Sequence, residues 1–161
     1  MSVVTERCRS AVERALKIKF PISWEVNMKG EDIPYKMLSQ DAFSSWMGIE
    51  IIESQVGRVK IGMTIRREML NSMNYAHGGI SYTLADTAFG FTSNTHGKYA
   101  VSIETSINHI EALNEGDYLV AECIIEKVNN KLGFNIVEVK RNNQLVALFK
   151  GVVYRTNKEW E

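Results

Sequence analysis

The stretch from Gly78 to Asn94 constrains the fold more than any other part of the chain. Ile80, Tyr82, Leu84, Ala85, Ala88, Phe89 and Phe91 recur at helical spacing, and together they cover nearly every face of the helix they imply. A helix that is apolar almost all round is a buried helix. It needs a surrounding surface with one apolar face. His96-Gly97 closes it, with glycine in its usual place after a helix end.

Strands supply that surface. Ile49 to Ile52 is an apolar run. Val59, Ile61, Met63 and Ile65 then alternate with Lys60, Gly62, Thr64 and Arg66, the period of two of a half-buried strand. Ser54 to Gly57 joins the two as a hairpin. Beyond the helix, Tyr99 to His109 alternates through Tyr99, Val101, Ile103, Thr105 and Ile107. Tyr118 to Val128, Leu132 to Arg141 and Gln144 to Tyr154 follow, parted by turns at Asn114–Asp117, Asn129–Lys131 and Asn142-Asn143. Turns at this regular spacing predict an antiparallel meander. Upstream, Val3 to Leu16 reads as an amphipathic helix ended by Phe20-Pro21, and a second helix is expected from Pro34 to Trp46, stopped by Gly48. The expected class is α+β: a curved antiparallel sheet of about six strands wrapped around a central buried helix, the hotdog arrangement, with an extra N-terminal helical segment. Residues 1–36 form the expected helical extension and residues 37–161 the hotdog domain.

Composition narrows the function classes. A chain of 161 residues can bury a core without staples. It carries 19 basic and 19 acidic residues, and a net charge of zero argues against a nucleic-acid binder. Met1 to Lys19 lacks the apolar core of a signal peptide, and no run of about 18 apolar residues occurs, so no membrane span is expected. Cys8 and Cys123 are too few for a disulfide framework or a closed zinc site; two free thiols fit a cytoplasmic protein.

Four polar features meet between Asn71 and Asp86. Asp86 sits mid-helix among Leu84, Ala85, Ala88 and Phe89, where a carboxylate is costly to bury unless partnered. Burial would raise its pKa toward the range useful to a base, and a structural pairing is the plainer reading. Gly78 and Gly79 open the helix. The first N–H groups there have no internal partner, and glycine lets a ligand approach them closely, as a developing oxyanion requires. The same two glycines also suit a tight entry turn. Asn71 precedes them in a loop, as a donor to a carbonyl oxygen or as a turn residue. His77 suggests a general base, but the helix already holds an acid, and a ring that bonds backbone and fixes the turn is favoured. His96 and His109 are too scattered to add a metal site.

Asn71, six residues before His77-Gly78-Gly79, followed by Leu84-Ala85-Asp86-Thr87-Ala88, resembles the hotdog thioesterases of the phenylacetate-degradation (PaaI-like) type. The similarity runs on through Val101-Ser102-Ile103, Ile107 to Asp117 and Leu145-Val146-Ala147, spanning roughly residues 43–155. The resemblance implies an acyl-CoA thioesterase acting on an aryl-acetyl or medium-chain acyl group. Asp86 matches the acid that activates water or attacks the thioester. The N–H of Gly78 or Gly79 matches the oxyanion donor, and Asn71 the side chain that holds the thioester carbonyl. Ser102 matches a hydroxyl that orients water in some members, and His77 the motif's positioning histidine. Acid and oxyanion donors are expected from opposite subunits of a homodimer, usually within a homotetramer, so a monomer should be inactive. No metal or cofactor is implied, because a thioester carbonyl is already electrophilic and a base with an oxyanion hole suffices. Asn74 stands where many members have glycine, and His109-Ile110 where many have an aromatic or Phe-Leu pair. Candidate substrate contacts are Tyr82, Phe89, Met73 and His109. Phe91, Met63 and Met69 share the same two readings, pocket wall or plain core. Two other functions fit the same fold: a non-catalytic acyl-CoA sensor, which would not need Asp86, and an acyl-thioester hydratase or dehydratase, which would pair a histidine with an acid.

Overall fold

The computed structural model describes residues 28–161. The helix expected over Val3 to Leu16 lies outside the described residues. From the N-terminal side the elements are α1 (Ile33–Gln40), α2 (Ala42–Met47), β1 (Glu50–Gln55), β2 (Arg58–Thr64), α3 (Gly78–Asn94), β3 (Lys98–His109), β4 (Tyr118–Val128), β5 (Leu132–Arg141) and β6 (Gln144–Glu159), with short 3-10 turns at Gly30–Asp32 and Arg67–Met69.

The helix expected from Pro34 to Trp46 is two helices. Asp41 adopts an extended backbone, and one oxygen of its carboxylate accepts from the N–H groups of both Phe43 and Ser44, each at 3.0 Å. A short acid that can satisfy orphan N–H groups starts a new helix rather than continuing an old one. Gly48, at φ 75°, closes α2 in the left-handed conformation that glycine adopts without strain. Ile33 is fully buried, and α1 packs on α3. The boundary expected at residue 36 therefore falls within α1.

All six strands pair antiparallel in one sheet, in the order β1-β2-β4-β5-β6-β3. The last four strands are not a simple meander. The segment after β3 crosses over, so β4 lies beside β2, and β3 pairs with β6 at the far edge. This places α3 between the two halves of the sheet, against β2, β3, β4, β5 and β6. A meander in sequence order would set β3 directly beside β2, although the helix linking them must cross the sheet.

The core follows from the alternation in β2. Val59, Ile61, Met63 and Ile65 are buried with Leu119, Ala121 and Cys123 of β4, Val137 and Val139 of β5, and Phe149 and Val153 of β6. They enclose Leu84, Ala85, Ala88, Phe89 and Phe91 of α3. Phe89 packs against Phe149 with its ring tilted, at 5.5 Å between ring centroids, and lies over Gly151. A Cβ at Gly151 would sit 2.8 Å from the Phe89 ring. Gly151→Ala is therefore expected to cost about 1–3 kcal/mol in denaturant unfolding; an unchanged midpoint would contradict that contact.

Two features depart from the sequence pattern. β3 carries a bulge between Ser102 and Glu104, which reverses the phase of its alternation. Ser102 pairs with Val153 and points to the same face of the sheet, though Ser102 itself is exposed, as are Val101 at 51% and Ile103 at 58%. The second concerns α3, whose face carrying Thr83, Asp86, Thr87 and Gly90 is left half-exposed, so the helix is not enclosed on every side. Among the described residues β3 is an edge strand, and it packs on α3.

Candidate active site

The loop before α3 is a closed turn. Leu70 bridges to Ala76, the Asn71 N–H donates to the Tyr75 carbonyl at 2.7 Å, and Asn74 takes φ 61°. Asparagine tolerates this left-handed conformation better than most residues, so it fills the place of the glycine common at this position. The Asn71 side-chain oxygen accepts from Met73 N–H at 2.8 Å and Tyr75 N–H at 3.3 Å. Its amide nitrogen has no hydrogen-bond partner among the described residues, so the same residue shapes the turn and keeps two donor hydrogens.

His77 caps α3. Its Nδ1 accepts from Gly79 N–H at 3.0 Å, and its own N–H donates to the Met69 carbonyl at 2.9 Å. The ring thus turns its Nδ1 lone pair to the backbone and leaves Nε2 pointing away from the cap. Capping separates the two glycines: Gly79 N–H is taken, whereas Gly78 N–H has no partner among the described residues.

Asp86 lies two turns along, on the half-open face. No side chain among the described residues bonds its carboxylate, and burial raises its pKa above the ordinary value of 3.8. The partner expected for a costly buried acid is absent among the described residues. Gly78 and Asp86 are eight positions apart on one helix, hence roughly 12 Å along its axis. β3 runs antiparallel to α3: His109 meets Ser81, Thr105 meets Tyr82, and Ala100 meets Asn94. Ser102 thus falls beside the stretch that carries Asp86.

A cavity of about 290 Å³ opens at the start of α3, lined by Tyr75, Gly78, Ser81, His109, Glu111 and Leu113 among others. The Ala76 N–H donates to the Leu113 carbonyl at 2.8 Å and holds the post-β3 segment against the entry turn. Of the four candidate substrate contacts, His109 lines this cavity. Met73 is 69% exposed on the loop, and Phe89 is 1% exposed, inside the core. Tyr82 packs edge-on to Phe149, and its hydroxyl meets that of Thr105. Among the described residues no three His, Cys, Asp or Glu side chains cluster as metal ligands, and no helix is long and apolar enough to cross a membrane.

The family model of the thioesterase superfamily matches residues 73–148. A protein of Archaeoglobus fulgidus is 42% identical over 125 residues, covering 77% of this chain and 81% of that one. Acyl-coenzyme A thioesterase PaaI of Escherichia coli is 33% identical over 122 residues, covering 75% of this chain and 87% of that one. The chain belongs to the PaaI-like hotdog thioesterases. It is a thioester hydrolase. The thioesterase superposes on the Escherichia coli PaaI structure with a TM-score of 0.79 at 30% identity, covering 83% of this chain and 97% of that one. A Streptococcus mutans protein solved with bound acetyl CoA gives 0.67 at 26% identity, covering 70% and 91%.

Ser81 is the site residue that the sequence pattern did not single out. It is buried, and its hydroxyl lies 3.2 Å from both the Gly78 carbonyl and His109 Nδ1. The turn at His96-Gly97 folds β3 back along α3 and so brings together residues 28 positions apart, which no local pattern could have marked.

Proposed function

We propose that this thioesterase hydrolyses acyl-coenzyme A, with an aryl-acetyl or medium-chain acyl group, by Asp86-activated water. The observation that carries the reading is a Gly78 N–H at the positive end of α3 and, on the same helix, an acid raised in pKa by burial, neither with a partner among the described residues. The thioester oxygen accepts from Gly78 N–H and from the spare amide of Asn71. Gly79 supports the turn through His77 rather than donating to substrate. The Asp86 carboxylate takes a proton from water, with Ser102 orienting it, and the hydroxide oxygen adds to the thioester carbon. The oxyanion collapses, the C–S bond breaks, and the coenzyme A thiolate leaves, protonated from Asp86.

One protomer cannot assemble this site. A base-held water must reach the carbonyl within about 3 Å, whereas Asp86 lies roughly 12 Å from the Gly78 of its own helix. A homodimer that pairs the β3 edges and lays the two half-open α3 faces together in opposite directions brings each Asp86 to the other subunit's Gly78. Pairing of such dimers gives the homotetramer. The free, buried Cys123 supports a reducing, cytoplasmic setting.

The test is thiol release from a panel of aryl-acetyl and aliphatic acyl-coenzyme A substrates. Turnover of at least one class is expected, without added metal. Intact binding with no release from any of them would favour the sensor reading, and water addition to an enoyl thioester the hydratase.

A further inference from the structure

The His109–Ser81 pair is left unused by this mechanism. His109 ends β3 opposite Ala147, and its ring lies across the start of α3, so that a Cβ on Gly78 would sit 3.3 Å from His109 Nε2. Ser81 stands on the other side of the ring, 3.2 Å from Nδ1. A serine hydroxyl has one proton. Given to the Gly78 carbonyl, it leaves the Ser81 oxygen to accept Nδ1–H, and both contacts become hydrogen bonds. Given to Nδ1, it makes one bond and leaves the other contact unused. Ser81 therefore holds His109 with its proton on Nδ1 and the Nε2 lone pair toward the cavity. Glu111 lines the same cavity, adding acceptor oxygens.

We infer that His109 is a specificity-determining residue: Nε2 accepts a hydrogen bond from a hydroxyl on the acyl group within two or three bonds of the thioester carbonyl. The inference rests on the reading of Gly78 as the oxyanion donor, which sets the carbonyl beside this ring. A cavity that sets His109 and Glu111 beside a buried serine suits a hydroxyacyl group better than a plain alkyl chain, which would cover Nε2 without pairing it.

The experiment compares 3-hydroxyhexanoyl-CoA with hexanoyl-CoA in wild type, His109→Phe and His109→Gln. The expected result is that the hydroxyhexanoyl-to-hexanoyl ratio of kcat/KM falls about tenfold in His109→Phe, the worth of one hydrogen bond. Glutamine, which keeps an acceptor, should restore part of the ratio. A ratio unchanged in His109→Phe overturns the inference while leaving the thioesterase intact. Equal loss of kcat on both substrates also overturns it, and assigns His109 to the chemistry. An equal rise in KM on both overturns it in favour of a contact to the coenzyme A arm. If wild type releases thiol from no acyl-coenzyme A, the function itself fails and the inference goes with it. Should His109→Phe not fold, the ratio measured in His109→Gln and in Ser81→Ala, which frees the ring to turn, decides the matter: a fall in Ser81→Ala supports the inference and no change overturns it.

Discussion

Asp86→Asn is expected to lower kcat by about 10²–10⁴ at neutral pH, the range of a positioned general base. The amide keeps the shape of the carboxylate and removes its capacity to take a proton. Stability should move the other way. Burial raises the Asp86 pKa above 3.8, so the folded state holds this proton more tightly than the unfolded chain. The stabilising contribution of the protonated acid is present below the unfolded pKa and is lost as pH rises through the folded one. At neutral pH the charged Asp86 therefore weighs against folding, and the neutral asparagine should raise the thermal midpoint. In wild type, kcat/KM should fall on the acid side as the raised pKa is crossed, and that limb should vanish from whatever activity the variant retains. Rate assays across pH and thermal unfolding of both proteins check all three outcomes. Wild-type kcat in the variant would overturn the role of Asp86, and a lost rate with a lowered midpoint would point to damage instead of chemistry.

Local contrast decides which parts of the molecule were legible in the sequence. The apolar run through Leu84, Ala85, Ala88 and Phe89 makes a charge at Asp86 conspicuous, and the paired glycines mark the helix start. The β2 alternation likewise translates directly into buried Val59, Ile61 and Met63. Long-range pairing was not legible. Asn114 to Asp117 reads as a hairpin turn, but the strands flanking it have different neighbours, and only the whole sheet decides between them. The bulge in β3 was hidden as well, because Val101, Ile103, Thr105 and Ile107 keep their spacing in sequence while the chain changes face between Ser102 and Glu104. The meeting of Ser81 with His109 was not legible either, because it depends on how β3 lies back along α3. Within the segment from Asn71 to Gly79 the turn occupies some polar groups and leaves others open. Asn71 spends its oxygen on the turn and keeps its amide, and His77 occupies Gly79 and leaves Gly78 open.

Ile103→Lys should yield a monomer with activity reduced by at least about 10², because a lysine on an edge strand opposes edge-to-edge pairing. Ile103 is 58% exposed on β3, whose one neighbour among the described residues is β6. Its replacement removes no core contact, so a cooperative unfolding transition should remain while sedimentation reports the smaller species. A monomer with full turnover would mean that one chain contains a whole site. A mixing experiment asks the same question without breaking the dimer. If each site takes its acid from one subunit and its donors from the other, Asp86→Asn and Asn71→Ala are each inactive alone but complementary. Random reassociation at equal concentrations makes about half of the dimers mixed, and each mixed dimer holds one intact site of two, so about a quarter of wild-type activity should return. If instead each subunit carries its own acid and its own donors, every site in every dimer has one defect and nothing returns. The roughly 12 Å between Asp86 and Gly78 along α3 favours the first outcome, since no water held by that carboxylate can also touch a carbonyl bound at that glycine.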